Sequence, residues 1–260
     1  MELNLKGRTA LITGASKGIG ESVAKVLAAE GCHLTLTARD ENKLRSLAGE
    51  LTAAHGVKVT THVFDLSKLE NVKRLADVAG DCDILINNAG AIPRGSLDDV
   101  TPEAWRHGWD LKVFGYIDLT RYILPRMKAR KSGVIINIIG MAGERPEPGY
   151  IATSCGNAAL MMFTQCLGGE CVRDGVRIVG VNPGPIMSDR HRKGVEQVAQ
   201  RELGSKDRWL EMYKRFPAGR PGRVEEVADM VAFLVSDRAS YISGEIIRID
   251  AGLKVRDPVY

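Results

Sequence analysis

The amino-acid sequence predicts an α/β fold: one domain built on a doubly wound parallel sheet of about seven strands, with helices on both faces. Short apolar runs alternate with amphipathic segments along the chain, the pattern of repeated strand–helix–strand units. Many of these runs are continuous Val, Ile and Leu rather than alternating, as strands covered on both faces require. At 260 residues, 44% hydrophobic and 26% charged, the chain can bury one large core, and it shows no linker, repeat or low-complexity stretch.

The elements follow in order. "RTALIT" reads as a first strand, followed by glycines and the helix "IGESVAKVLAAEG", with Gly31 as its stop signal. "HLTLTAR" is a second strand, and "ENKLRSLAGEL" has helical spacing. "KVTTHVFD", "DILIN", "GVIINII", "VRIVGVN" and "EIIRID" are further strands, separated by amphipathic segments. Gly184 to Gly222 is the one long interruption between strand and helix, so residues 186–222 are expected to form a lid over a substrate.

Composition excludes several classes. The first residues, "MELNLKGRTALITG", lack the apolar run and cleavage site of a signal peptide, and no apolar stretch approaches the ~20 residues that span a bilayer. Five cysteines, Cys32, Cys82, Cys155, Cys166 and Cys171, are irregularly spaced, with no metal pattern and no even disulfide set. A cytoplasmic protein with no metal and no membrane partner is expected. A net charge of +4 with 5% aromatic residues gives no sign of nucleic-acid binding. Ile186 to Arg223 carries ten Lys or Arg against five Asp or Glu, either as a solvated helical face or as a basic lid over an anionic substrate.

The first loop carries the first chemistry. "TGASKGIG", Thr13 to Gly20, lies between a strand and a helix, and its glycines allow a tight turn and close approach of a phosphate to a helix N-terminus. At the end of the second strand, where an acid would bind the ribose hydroxyl of NAD, stand Ala38 and then Arg39. Arg39 and Lys17 are two cations suited to a 2′-phosphate, which favours NADP(H) as the cofactor.

With "TGASKGIG", "FDLS" at Asp65, "NNAG" at Asn87 to Gly90, "NPGPIMS" at Asn182 to Ser188 and the C-terminal "GRPGRVEEVADMVAFLVSDRASYISGEIIRIDAG", the chain resembles the short-chain dehydrogenase/reductase family, from about Lys6 to Gly252. The resemblance implies a Rossmann fold and a set of cofactor-binding positions. Gly14, Ser16, Lys17, Gly18 and Ile19 would cradle the phosphates and adenosine ribose. Asp65 and Leu66 would line the adenine pocket, and Asn88, Ala89 and Gly90 would pass beneath the cofactor. Pro183, Gly184, Ile186 and Ser188 would hold the nicotinamide end. Helices over 102–127 and 153–172 resemble those that pair subunits in the family, so a homodimer or homotetramer is expected.

At the catalytic end the resemblance implies a tyrosine acid, a lysine that assists it, a serine that polarises the carbonyl and an asparagine that anchors a proton path. The same alignment puts Thr153 at the tyrosine, Asn157 at the lysine, Gly140 at the serine and Lys112 at the asparagine, and the thirteen residues from Gly140 to Thr153 match the family spacing. All four positions are changed. Lys112 and Asn157 read either as a reciprocal exchange or as two unrelated substitutions. Tyr150, one turn before Thr153, is a candidate replacement acid to partner Lys112, or else packs at the helix start. Ser154 and Cys155 are weaker candidates, with Cys155 expected to be a small buried residue, and His107 is expected on a helix surface. Two functions follow: an NADP(H)-dependent oxidoreductase with a non-standard active site, acting on an activated or anionic carbonyl or enoyl compound, or a non-catalytic NADP-binding sensor or structural subunit.

Overall fold

The structure, a computed structural model, describes residues 1–255, apart from the side chain of residue 190. The seven strands are β1 (Thr9–Thr13), β2 (His33–Ala38), β3 (Val59–Val63), β4 (Ile84–Asn87), β5 (Gly133–Ile138), β6 (Val176–Pro183) and β7 (Ile246–Ile249). They form one sheet in the order β3-β2-β1-β4-β5-β6-β7, with every pairing parallel. Order reverses between β1 and β4, so a crevice opens at the carboxyl ends of those two strands.

The continuous apolar strands face packed helices on both sides. On one face Ile12, Leu36, Ile86, Ile136 and Val181 join a core with α1 (Gly18–Ala29), α2 (Glu41–His55) and α8 (Val224–Val235). The alternate residues Leu11, Leu85, Ile135 and Ile178 meet α3 (Leu69–Ala79) and α5 (Gly115–Arg130) on the other face. The two-residue period of a strand thus sends neighbouring apolar side chains into different cores.

Three departures from simple periodicity position the site. First, the helical run expected over 102–127 is α4 (Pro102–Trp109), a wider π-helical turn over Asp110–Phe114, and α5. A π turn accommodates an extra residue and rotates the side chains around it; Lys112 sits at its middle. Second, α6 (Ile151–Cys171) follows directly on Tyr150 and carries Thr153 and Asn157 in its first two turns. Third, the interruption between β6 and α8 is itself helical, with α7 (Asp189–Leu203) and a 3₁₀ helix over Lys206–Arg215. The two ends of that excursion are stitched together: Gly222 N–H donates to the Pro185 carbonyl at 2.9 Å, and Met187 N–H to the Gly222 carbonyl at 2.8 Å.

The centre of the sheet should tolerate little loss of volume. Ile86 is fully buried, so Ile86→Ala should destabilise the fold by about 2–5 kcal/mol, read as a lower urea midpoint with an unchanged denaturant slope.

Candidate active site

The glycine-rich loop is shaped by close approach. Gly14 has φ +66°, and a Cβ there would lie 2.9 Å from the Ala89 Cα. A Cβ on Gly20 would lie 2.5 Å from both the Asn88 amide nitrogen and the Gly14 carbonyl. Thr13 and Asn88 lock the two loops together: Asn88 and Ala89 N–H groups donate to Thr13 Oγ1 at 2.9 and 3.0 Å, and Asn88 Nδ2 donates to the Thr13 carbonyl at 2.9 Å. "TGAS" and "NNAG" therefore form one unit at the crevice.

This unit fits a dinucleotide. No side chain caps the N-terminus of the twelve-residue α1, so its first-turn N–H groups are open to an anion. Gly18 has nothing within 4 Å of where a Cβ would stand. Ser16 and Ile19 flank it, half-buried. Lys17 and Arg39 are exposed at the same end, with no ion pair among the described residues. Asp40, by contrast, is occupied in capping α2 through Lys43 N–H at 3.1 Å. Asp65 sits opposite: burial raises the pKa of its carboxyl, but the N–H and O–H of Ser67 outweigh this, aided by the charges of Arg39 and His107, so it stays below the usual carboxylate range. Leu66 is buried beside it. At the far side Gly184 N–H donates to the Ile249 carbonyl at 2.9 Å, and Ile186 pairs with Gly222. Ser188 has a further duty, accepting from His191 N–H at 3.2 Å as the cap of α7.

The four positions aligned with the catalytic residues converge. Lys112 Nζ donates to the Ile139 carbonyl and to Asn157 Oδ1, the latter at 3.0 Å. Asn157, 2% exposed, donates through Nδ2 to the Gly140 carbonyl at 3.1 Å. Lys112 also runs along Gly90, where a Cβ would lie 2.8 Å from its Cδ. A cavity of about 50 Å³ is lined by Gly90, Ile92, Lys112 and Thr153. The hydroxyl oxygens of Thr153 and Ser154 are buried without a hydrogen-bond partner among the described residues. Lys112 and Asn157 thus touch each other.

Gly140 has φ +118°, where a side chain is strained, and a Cβ would press on Asn157 Nδ2 at 3.2 Å. Its N–H donates to Asn182 Oδ1 at 3.2 Å, and Asn182 Nδ2 donates to Glu144 Oε1 at 2.6 Å. Neither Asn182 nor Glu144 was singled out as a site residue from the sequence; the nearest signal was the "NPGP" motif that Asn182 opens.

Tyr150 is placed differently. It precedes α6, its ring lies under the Arg94 guanidinium at 4.4 Å, and it does not line the cavity that Lys112 shares with Thr153. Cys155 is exposed, contrary to expectation, because it falls on the outward face of α6, between buried Ala152 and Gly156. His107 is exposed on α4. Six arginines of 186–223 are in ion pairs, Arg192 with Glu196, Arg201 and Arg215 with Glu202, Arg208 with Glu211, and Arg220 and Arg223 with Glu226, but only Glu226 adds to the segment's own five acids, so the segment stays basic. A larger cavity, about 240 Å³, lies at the base of the excursion between Pro185, Phe216, Arg220, Asp250 and Leu253. Among the described residues no cluster of His, Cys, Asp or Glu could hold a metal ion, and no helix is long and apolar enough to cross a membrane.

Known proteins share this architecture over its full length. A family profile described as short chain dehydrogenase matches residues 8–199. The 3-oxoacyl-acyl-carrier-protein reductase FabG of Escherichia coli (strain K12) is 31% identical over 252 residues, 96% of this chain and 99% of that protein. Gluconate 5-dehydrogenase of Gluconobacter oxydans (strain 621H) is 32% identical over 256 residues, covering 97% and 96% of the two chains. The structure of L-sorbose reductase from Gluconobacter frateurii, complexed with NADPH and L-sorbose, superposes with a TM-score of 0.92 at 31% identity, over 98% of this chain and all of that one.

Two outcomes are expected from this geometry. Gly140→Ser, which restores the family residue, should cost about 1–3 kcal/mol from the positive φ alone, so its thermal midpoint should fall rather than rise. Glu226, bonded by Arg220 and Arg223 N–H, has its carboxyl pKa depressed to about 2. A depressed acid contributes its full stabilisation above its unfolded pKa and loses it progressively as pH falls from there through the folded value, while the carboxylate itself stays ionised until the folded value is reached. The clamp at the base of 186–222 should therefore persist at pH 3, and a carbon-detected NMR titration of Glu226 with a midpoint near the ordinary ~4.3 would contradict it.

Proposed function

The chain belongs to the short-chain dehydrogenase family of NAD(P)-dependent oxidoreductases, and on that basis we propose that it is an NADP(H)-dependent reductase of carbonyl or enoyl compounds whose acid is Lys112. The observation that carries this reading is the bond from Lys112 Nζ to Asn157 Oδ1 at 3.0 Å, beside the cavity that Thr153 lines. The pair reverses the family's asparagine and lysine, which keeps one ammonium group at the site but brings it in from the π turn between α4 and α5.

When bound, the reduced nicotinamide supplies a hydride to the electrophilic carbon of the substrate. The protein must then serve the oxygen. An alkylammonium and a phenol are acids of similar ordinary strength, both with pKa values of about 10, whereas an aliphatic hydroxyl is far weaker. Lys112 Nζ can therefore do what Thr153 Oγ1 cannot: give a proton to the developing oxyanion. Thr153 Oγ1 serves as a hydrogen-bond donor to the same oxygen. The Ile139 carbonyl and Asn157 Oδ1 fix the ammonium before the reaction, so little reorganisation is needed when charge develops.

Lys17 and Arg39 suit the 2′-phosphate of NADP(H), and Ala38 withholds the carboxylate that NAD would use. The L-sorbose reductase complex with NADPH is in keeping with this choice. Residues 186–222 form the lid. An anionic group on the substrate would meet Arg94, which reaches from the opposite loop to Tyr150 and packs so closely on Gly194 of α7 that a Cβ there would clash with its guanidinium. Exposed Phe114 and Met162, on the expected pairing helices, favour a homodimer or homotetramer, which light scattering would measure.

Lys112→Met should lower turnover of NADPH with a responsive carbonyl or enoyl substrate by roughly 10²–10⁴-fold while leaving NADPH binding measurable by calorimetry. Tyr150→Phe should leave turnover intact; its loss would move the acid to Tyr150. Removing a phosphate partner with Arg39→Ala or Lys17→Ala should weaken NADPH by roughly tenfold or more and NADH hardly at all, and equal affinities in the parent protein would exclude the NADP preference. Tight NADPH binding with no turnover on any such substrate would favour the non-catalytic NADP-binding subunit.

A further inference from the structure

Behind the Lys112–Asn157 pair lies an unbroken chain of polar contacts that the proposed reaction does not itself require. Arg248, on β7, donates from Nε to Glu144 Oε2 at 2.6 Å, and Lys254 Nζ approaches the same oxygen at 3.4 Å. The other oxygen of Glu144 accepts from Asn182 Nδ2, whose Oδ1 accepts from Gly140 N–H. The Gly140 carbonyl accepts from Asn157 Nδ2, and Asn157 Oδ1 accepts from Lys112. Each amide side chain in the chain donates on one side and accepts on the other, so the orientation of any one fixes the next. The Glu144 side chain is 12% exposed, with both oxygens engaged in the folded protein.

We propose that Glu144 is a positioning residue for Lys112, transmitting the anchorage of Arg248 and Lys254 through Asn182, Gly140 and Asn157. Two features favour a transmitting role over a packing one. Gly140 sits at φ +118°, a conformation that must be held, and both of its backbone polar groups are in the chain. The segment between Gly140 and Tyr150 holds only one turn of 3₁₀ helix, Met141–Gly143, so the regular backbone ladder does little to fix it. The Asn182–Glu144 bond and the Arg248 pair close that segment onto β6 and β7.

The proposal rests on the placement of Lys112 but not on turnover, and the test needs neither cofactor nor substrate. Competitive acylation of the intact protein, read by mass spectrometry, compares Lys112 with Lys128, a partly exposed lysine paired with Asp174 at 2.7 Å on the far part of α5. In Glu144→Ala, Lys112 should label roughly tenfold faster, the size expected when a hydrogen bond to a charged group is loosened, while Lys128 is unchanged. Glu144→Gln keeps one oxygen, which can accept from Asn182 or from Arg248 but not from both, and should recover only part of the protection. Arg248→Gln should raise Lys112 labelling by less than Glu144→Ala does, since Glu144 keeps Lys254. Unchanged Lys112 labelling in Glu144→Ala, or an equal rise at Lys128, would overturn the proposal. Because acylation is measured on the free protein, loss of the relay and absence of reductase activity are separate results.

Discussion

Two asparagines at the centre of the sheet decide how the rest is arranged. Asn87 and Asn137 lie opposite each other in the β4–β5 register, buried to 1% and 0% exposure, with Asn87 Nδ2 donating to Asn137 Oδ1 at 2.9 Å. A buried amide without a partner costs about 1–3 kcal/mol, and a slip of one residue would turn one of the two onto the opposite face of the sheet. The pair therefore admits one register. It also reaches outwards: Asn87 donates to Thr120 of α5 at 3.2 Å, and Asn137 to Thr164 of α6 at 2.9 Å. The helical run leading into α5 carries Lys112, and α6 carries Asn157, so a polar network in the core aligns the two helices whose side chains meet at the crevice.

That meeting needs close tolerances. A half-buried ammonium is tolerated only where oxygens replace the water it has lost, and here a backbone carbonyl and an amide oxygen do so. The carbonyl of Ile139 is available because β5 ends at Ile138 and the Ile139 N–H is taken by the Val181 carbonyl, leaving the chain free to turn. The turn itself is Gly140. The π turn at Asp110–Phe114 and the Trp109 indole, which donates to the Ala152 carbonyl at 3.0 Å, bring the start of α6 against the helix opposite.

Much of this was legible from the sequence, for identifiable reasons. Doubly covered strands leave uninterrupted Val/Ile/Leu runs, so the sheet could be read directly. The spacing from Gly140 to Thr153 matched the family's, and of the two readings of Lys112 and Asn157, exchange or unrelated substitutions, the contact between them fits the first. Other features leave no local trace. Glu144 sits in a segment without periodicity, and its partner Arg248 lies 104 residues away. Gly140 reads as a lost serine until its φ is known. The basic segment 186–223 carries Arg–Glu partners at three- and four-residue spacing, such as Arg192 with Glu196 and Arg208 with Glu211, as the solvated helical face, one of the two readings of that segment, allows. Cys155 was assigned to the core by residue type, when the outward position on α6 decides its exposure.

The Lys112–Asn157 contact also couples the substitutions that these positions can accept. Changing Asn157 to lysine alone would set two ammonium groups against each other and remove the amide oxygen that holds Lys112. Changing Lys112 to asparagine alone would leave the Ile139 carbonyl without its donor and the site without a cation. Serine at position 140 is opposed by the backbone conformation and by the amide that presses on it. The three positions are therefore coupled: a change at any one of them must be answered at the others.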